Sequence, residues 1–192
     1  MKQTYTYDLM AFARQEPRKR IKGRFKVSDV WAIQNGYLQP SQYFDTEIMD
    51  DEQLVKTQWG VMFHEYFSTL LSRDGWQTSQ KEMKKEYTYK DITLVGIPDG
   101  LKDNIVLELK TKNEIVVADE NEHIIQGIVE AKDWYITQVK CYLSMYEKEI
   151  GWIAQPRFEK NAIHLELVRT VKRNDEWFFN MLDELVEFNK KL

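Results

Sequence analysis

The chain has little of what specialised small folds depend on. It carries one cysteine, Cys141, in 192 residues. That excludes an intramolecular disulfide, an iron–sulfur cluster and a thiolate-rich zinc site built from its own side chains. Scarce cysteine also fits a reducing interior. Eight glycines and four prolines are too few for a collagen-like or low-complexity chain. No run of about 18 apolar residues offers a membrane span, and the first residues lack the apolar core of a signal peptide. We expect a soluble, cytoplasmic protein with no membrane partner. A positive net charge is missing too: at −4 the chain is no bulk polycation. What it has in quantity is apolar and aromatic surface, 43% and 13% of residues, enough for a sizeable core. Its length suits one domain, read here as spanning residues 1–192.

Charge is unevenly placed. Between Arg14 and Lys26 stand seven basic residues and one acidic residue. That segment carries +6 against a whole-chain charge of −4, so the remainder carries −10. Such a cluster can hold phosphates, and Arg18, Lys19, Arg20, Lys22 and Arg24 are its candidate nucleic-acid contacts. A solvated basic stretch is the plainer alternative. The acidic run from Asp45 to Glu52 reads as a solvated turn.

Hydrophobic spacing predicts a helix over Val27–Asn35, with Ser28 as N-cap and Gly36 as stop. It predicts a longer helix from Glu52 to about Ser72, where Trp59, Met62/Phe63, Tyr66/Phe67 and Leu70/Leu71 recur at helical period. The period then shortens. Met83–Tyr89 and Ile92–Leu101 read as strands, the second interrupted by Pro98-Asp99-Gly100. Lys102-Asp103-Asn104 turns the chain into a third strand, Ile105–Thr111. There Ile105, Leu107 and Leu109 share one face, and Val106, Glu108 and Lys110 the other. Lys112–Lys132 is polar and ambiguous, a loop with some helix near its end. Asp133–Glu149 is helical, Gly151–Pro156 and Ala162–Thr170 are strands, and Asn174 caps a final amphipathic helix through Phe188. This order predicts an α/β fold, a mixed central sheet flanked by helices.

Asp99 and Glu108 are nine residues apart, and the intervening hairpin brings the two carboxylates side by side. Adjacent carboxylates repel unless a cation lies between them, and oxygen donors suit Mg²⁺ or Mn²⁺. Lys110 projects into the same space, where it can donate to a water and to a phosphate oxygen gaining charge. Each piece also has a plain reading. Pro-Asp-Gly is a common turn, and Glu-x-Lys is often a solvated ion pair. On the second helix Gly60, His64 and Ser68 form an i, i+4 stripe of mostly small residues that allows close approach to the sheet. His64 is either a metal ligand or a satisfied histidine at the core edge. Gln138 and Tyr142 share a face of the next helix. They can support such a site or belong to an ordinary amphipathic face. His123 and His164 read as structural or exposed, and Cys141 has no base beside it to make it a nucleophile.

In this order, Ser28-Asp29, Gly60…His64, Gly96-Ile97-Pro98-Asp99, Glu108-Leu109-Lys110 and Gln138…Tyr142 resemble the RecB-like branch of the PD-(D/E)xK nucleases, over about residues 25–190. The resemblance implies a restriction-endonuclease-like core and metal-dependent hydrolysis of DNA phosphodiesters. His64, Asp99 and Glu108 would be metal ligands, with the Leu109 carbonyl a further one. Lys110 would position the attacking water, and Gln138 and Tyr142 would support the site or the DNA. The chain is similar to CRISPR-associated exonucleases and their viral relatives, but it lacks the four cysteines these commonly place around an iron–sulfur cluster, so no cluster is expected. The function implied is an exonuclease of recombination, repair or mobile-element DNA processing. An endonuclease, or a catalytically silent DNA-binding subunit of the same fold, are the alternatives. The implied cofactor is Mg²⁺ or Mn²⁺ and the implied partner is DNA. A homo-oligomer or a recombination partner protein stays open.

Overall fold

A computed structural model of the chain describes residues 19–45, 51–110, 130–159 and 162–192. In order they form β1 (Arg24–Lys26), α1 (Val27–Gln34), α2 (Asp51–Arg73), α3 (Gln80–Met83), β2 (Lys85–Tyr89), β3 (Ile92–Gly96), β4 (Gly100–Lys102), β5 (Ile105–Leu109), α4 (Asp133–Met145), β6 (Ile150–Glu159), β7 (Ala162–Lys172) and α5 (Asp175–Lys190). The strands make two mixed sheets, in the orders β1-β3-β2 and β4-β5-β6-β7. The single central sheet read from the sequence is thus divided. The break falls at Ile97-Pro98-Asp99, where the proline has no N–H to give a ladder. Before it, β3 pairs with β1 and β2; after it, β4 turns onto β5.

β5 is buried on both faces, not apolar on one face only as its alternation predicts. It runs parallel to β6, with α4 as the crossover. Leu107 and Leu109, with Ala154 of β6, pack against Phe67 and Leu71 of α2 and against Trp76. Val106 and Ile153 join the larger core with Val139 and Leu143 of α4 and Met181, Leu182 and Leu185 of α5. Glu108 is the polar intruder in this strand, 5% exposed. α4 lies so close to β6 that a side chain on Gly151 would collide with Val139. The crossover therefore sets the start of α4 beside the carboxyl end of β5, where ligands of α/β sheets gather.

Several boundaries move for tertiary reasons. α1 starts straight from β1, so its N-cap is the extended Lys26, not Ser28. Met83, read as the first strand residue, ends the short α3 and is buried. α4 stops at Met145, because Glu147 takes a left-handed φ of 55° that reverses the chain into β6. The β6–β7 hairpin is longer than predicted. β5 pairs with β6 only as far as Ala154, so among the described residues Pro156 is laddered on one side only, to β7. Asn174 caps α5 as expected, accepting a hydrogen bond from the Trp177 N–H at 2.9 Å. Residues 111–129, most of the predicted polar loop, lie outside the described residues, as do Arg14, Arg18 and His123. Among the described residues no helix is long and apolar enough to cross a membrane.

Candidate active site

The site grows out of the β4–β5 pairing. Gly100 is partnered with Leu107, and the Asp99 N–H donates to the Leu107 carbonyl at 3.1 Å, so Asp99 stands across from Glu108. One oxygen of Asp99, Oδ2, accepts the Leu109 N–H at 2.6 Å. The other, Oδ1, lies 3.1 Å from Nδ1 of His64 on α2. Lys110 Nζ donates to Glu108 Oε1 at 2.6 Å and to Gln138 Oε1 on α4 at 3.4 Å. It also sits 4.5 Å from the centre of the Tyr135 ring. His64, Asp99, Glu108, Lys110 and Gln138 are thus brought together from two helices and one hairpin. Tyr142, one turn further along α4, is buried and packs on Gly96 instead. Leu109 turns its side chain into the core under α2.

Burial and neighbouring charge act against each other in this group. Burial pushes the Glu108 carboxyl above the usual carboxylate range, and Lys110 opposes this without cancelling it while Asp99 adds to it. For Lys110 the same burial disfavours the charge, but it faces two carboxylates and its pKa is raised. The two shifts favour opposite states of one pair: the lysine keeps its proton, and the glutamate, sharing the space with a second carboxylate, tends to gain one. The hydrogen bond to Asp99 raises His64 against the effect of its burial. Burial holds the Tyr142 phenol neutral.

With both carboxylates ionised and His64 neutral, the acidic groups outnumber Lys110, and the protons that Glu108 and His64 tend to hold offset this; a divalent cation would take the place of those protons. The donors, carboxylate oxygens and a neutral imidazole nitrogen, suit Mg²⁺ or Mn²⁺. Among the described residues no three His, Cys, Asp or Glu side chains already converge as a coordination shell. Glu108 is turned to Lys110, and Asp99 to His64 and the Leu109 N–H. A cation would displace those partners.

A cleft of about 480 Å³ is lined by Lys19, Arg20, Arg24, Lys26, Lys84, Ser28, Asp29, Gly96, Ile97 and Tyr142, and Asp99, Glu108 and Lys110 are not in its lining. Gly96-Ile97 leads directly into Pro98-Asp99. Two of the predicted basic contacts are engaged within the protein: Arg20 lies 3.7 Å from Asp29 and donates to the Tyr43 carbonyl, and Arg24 makes a two-armed pair with Glu86. Lys19 and Lys22 are exposed. Arg18 is outside the described residues. A second cleft, about 630 Å³, includes Gly60, His64, Ser68, Thr78 and Asp99 in its lining. The stripe of α2 thus approaches the β4–β5 hairpin at His64, while among the described residues nothing lies within 4 Å of where a Gly60 Cβ would stand. Sequence reasoning passed over Tyr135, three residues before Gln138 and so on the same helical face. It also passed over Lys84, which no local pattern connects with the basic segment.

Two mixed sheets flanked by helices, with a carboxylate–lysine group at the carboxyl end of a central strand, make up a restriction-endonuclease-like core. No family model and no curated protein matches the chain. Solved structures do. An alkaline exonuclease, LHK-Exo from Laribacter hongkongensis, superposes with a TM-score of 0.56 at 14% identity, over 87% of this chain and 86% of that one. The structure of LHK-Exo in complex with dAMP gives 0.53 at 14% identity, over the same shares. The crystal structure of SSO0001 gives 0.50 at 13% identity, over 93% of this chain and 81% of that one. At these identities the likeness is one of fold.

Proposed function

We propose that the chain is a metal-dependent deoxyribonuclease of the RecB-like PD-(D/E)xK kind. It acts as an exonuclease in the cytoplasm, in recombination, repair or the processing of mobile-element or viral DNA. The observation that carries this reading is the Asp99–Glu108–Lys110 group, in which a buried Glu108 stands beside Asp99 and holds Lys110, with His64 and Gln138 alongside. The fold it shares with an alkaline exonuclease supports it. Asp99, Glu108, the Leu109 carbonyl and His64 hold Mg²⁺ or Mn²⁺, which when bound supplies positive charge to the scissile phosphate. Lys110 is anchored by Glu108, Gln138 and the Tyr135 ring. A charged ammonium has no lone pair, so Lys110 acts by donating, to the attacking water and to the phosphate oxygen that gains charge. The Leu109 N–H fixes the rotation of Asp99. The Tyr146 hydroxyl, 3.0 Å from the Gly96 carbonyl, and the Tyr142 ring hold the strand end that carries Pro98-Asp99. The single cysteine, fully buried, leaves the activity independent of an iron–sulfur cluster.

The test is an assay of the purified protein with Mn²⁺ or Mg²⁺ on end-labelled linear and closed circular DNA. The expected result is degradation of the linear form alone. Cutting of the circle assigns an endonuclease instead. Binding without cleavage of either overturns the enzyme reading in favour of a DNA-binding subunit. Size measurement with and without DNA shows whether the active form is a homo-oligomer or calls for a recombination partner protein.

A further inference from the structure

A run of aromatic rings leads from the surface to Lys110. Tyr37 is 72% and Trp134 37% exposed, and Trp31 between them is half-buried. Tyr37 lies parallel on Trp31, centroids 5.0 Å apart at 13°. Trp31 meets Trp134 edge-on at 5.5 Å, and Trp134 meets Tyr135 at 5.4 Å. The Tyr135 ring lies under the Lys110 ammonium. Gly36, at φ 73°, turns the chain so that the Tyr37 ring falls back on Trp31. Helix packing does not account for this, since rings that merely joined α1 to α4 would be buried, and large exposed apolar groups in one patch mark a binding surface.

We propose that Tyr37, Trp31 and Trp134 form a stacking platform for the bases of single-stranded DNA whose backbone reaches Lys110. Two neighbours supply what a nucleotide needs besides a ring. Lys132 Nζ lies 4.7 Å from the Trp134 ring centre, placing a cation beside the stack. Trp31 is one helical turn beyond Val27 and Ser28, which line the cationic cleft, so π faces and positive charge adjoin along α1. Base stacking beside a positive groove is how single strands are held without sequence preference. Bases inside a duplex are stacked on each other and offer no face, so the platform selects single-stranded or frayed ends. The role at Lys110 rests on the nuclease reading; the binding itself does not.

The test reads binding in EDTA, where nothing is cut. The tryptophan fluorescence of the full chain is titrated with oligo(dT), with an abasic oligomer of the same length and charge, and with blunt duplex. Quenching is expected with oligo(dT), which binds about tenfold tighter than the abasic strand. Tyr37→Ala and Trp134→Ala are each expected to lose about tenfold for oligo(dT) and nothing for the abasic strand. Tyr37 is exposed enough that its removal leaves the thermal melt unchanged, which keeps the test independent of folding. Equal binding of oligo(dT) and the abasic strand overturns the platform, as does an equal loss for both in the variants. So does a Tyr37→Ala protein that binds DNA normally but changes its oligomeric state, which assigns the rings to a protein interface. Absence of cleavage in Mn²⁺ with these binding differences intact removes the nuclease reading and leaves the platform. Cleavage without them does the reverse.

Discussion

Lys110 is enclosed by Glu108, Gln138 and Tyr135, and as an ammonium it cannot ligate a metal. Lys110→Ala is expected to lower cleavage by about 10²–10³-fold while Mn²⁺ affinity holds or tightens. Asp99→Ala is expected to lower both. Calorimetric titration beside a nuclease assay separates them, and a Lys110→Ala protein that cuts like its parent removes Lys110 from the mechanism. These residues were legible in the sequence because residue type and a short hairpin spacing suffice to bring Asp99 and Glu-x-Lys together. Asn189 was not legible. It is buried in the last turn of α5, where its Oδ1 accepts the Gly23 N–H at 2.8 Å and its Nδ2 donates to Asp91 at 2.9 Å. Both partners come from distant sequence, so no local pattern announces them. Asn189→Ala removes the partner of the half-buried Gly23 N–H and releases the exposed Asp91 carboxylate to water, and is expected to cost about 1 kcal/mol in urea denaturation. A loss of a few tenths would place the Gly23 N–H in water as well.

At the level of elements, β3, α1 and α4 meet at Gly96. A Cβ there would stand 2.7 Å from the Tyr142 ring and 2.8 Å from Val27 Cγ2. The neighbours are ring and branched carbon in a packed core, so neither yields easily. Gly96→Ala is expected to destabilise by about 1–3 kcal/mol, with Val27→Ala recovering part of it in a double-mutant cycle. Additive losses in that cycle would mean the three elements do not share the contact. Asn174→Ala, which removes the cap of α5, is expected to cost about 1 kcal/mol in the same measurement. The helical periods of α2, α4 and α5 were readable because each buries a stripe. The ends of α1 and α4, the short α3 and the division of the sheet were not. Three of these have a visible cause: β1 running into α1, the Glu147 reversal, and Pro98 between two ladders. The polar half of α2 shows the same limit, since Met62 and Tyr66 repeat at helical period and yet are exposed.

Across the whole molecule the charge is negative, at −4, so a polyanion is repelled by most of the surface and must come in where the sign is locally reversed. The cationic cleft is such a place, but its arginines are poor probes of DNA contact. Arg20 and Arg24 already pair with Asp29 and Glu86, so reversing either mixes the loss of that pair with any loss of DNA contact. Lys19 and Lys22 are both exposed, and of the two only Lys19 lines the cleft. Lys19→Glu is expected to weaken binding of all DNA sequences alike. It should also reduce the slope of log affinity against log salt by about 0.7 for a single strand or 0.9 for a duplex, the share of one phosphate contact. Lys22→Glu, with the same change in net charge, is expected to change the slope less. The comparison holds total charge fixed and varies only position. If both variants lower affinity equally with the parent's slope, the effect is long-range repulsion and the cleft is not the DNA path. If Lys19→Glu alone flattens the slope, phosphates lie in the cleft.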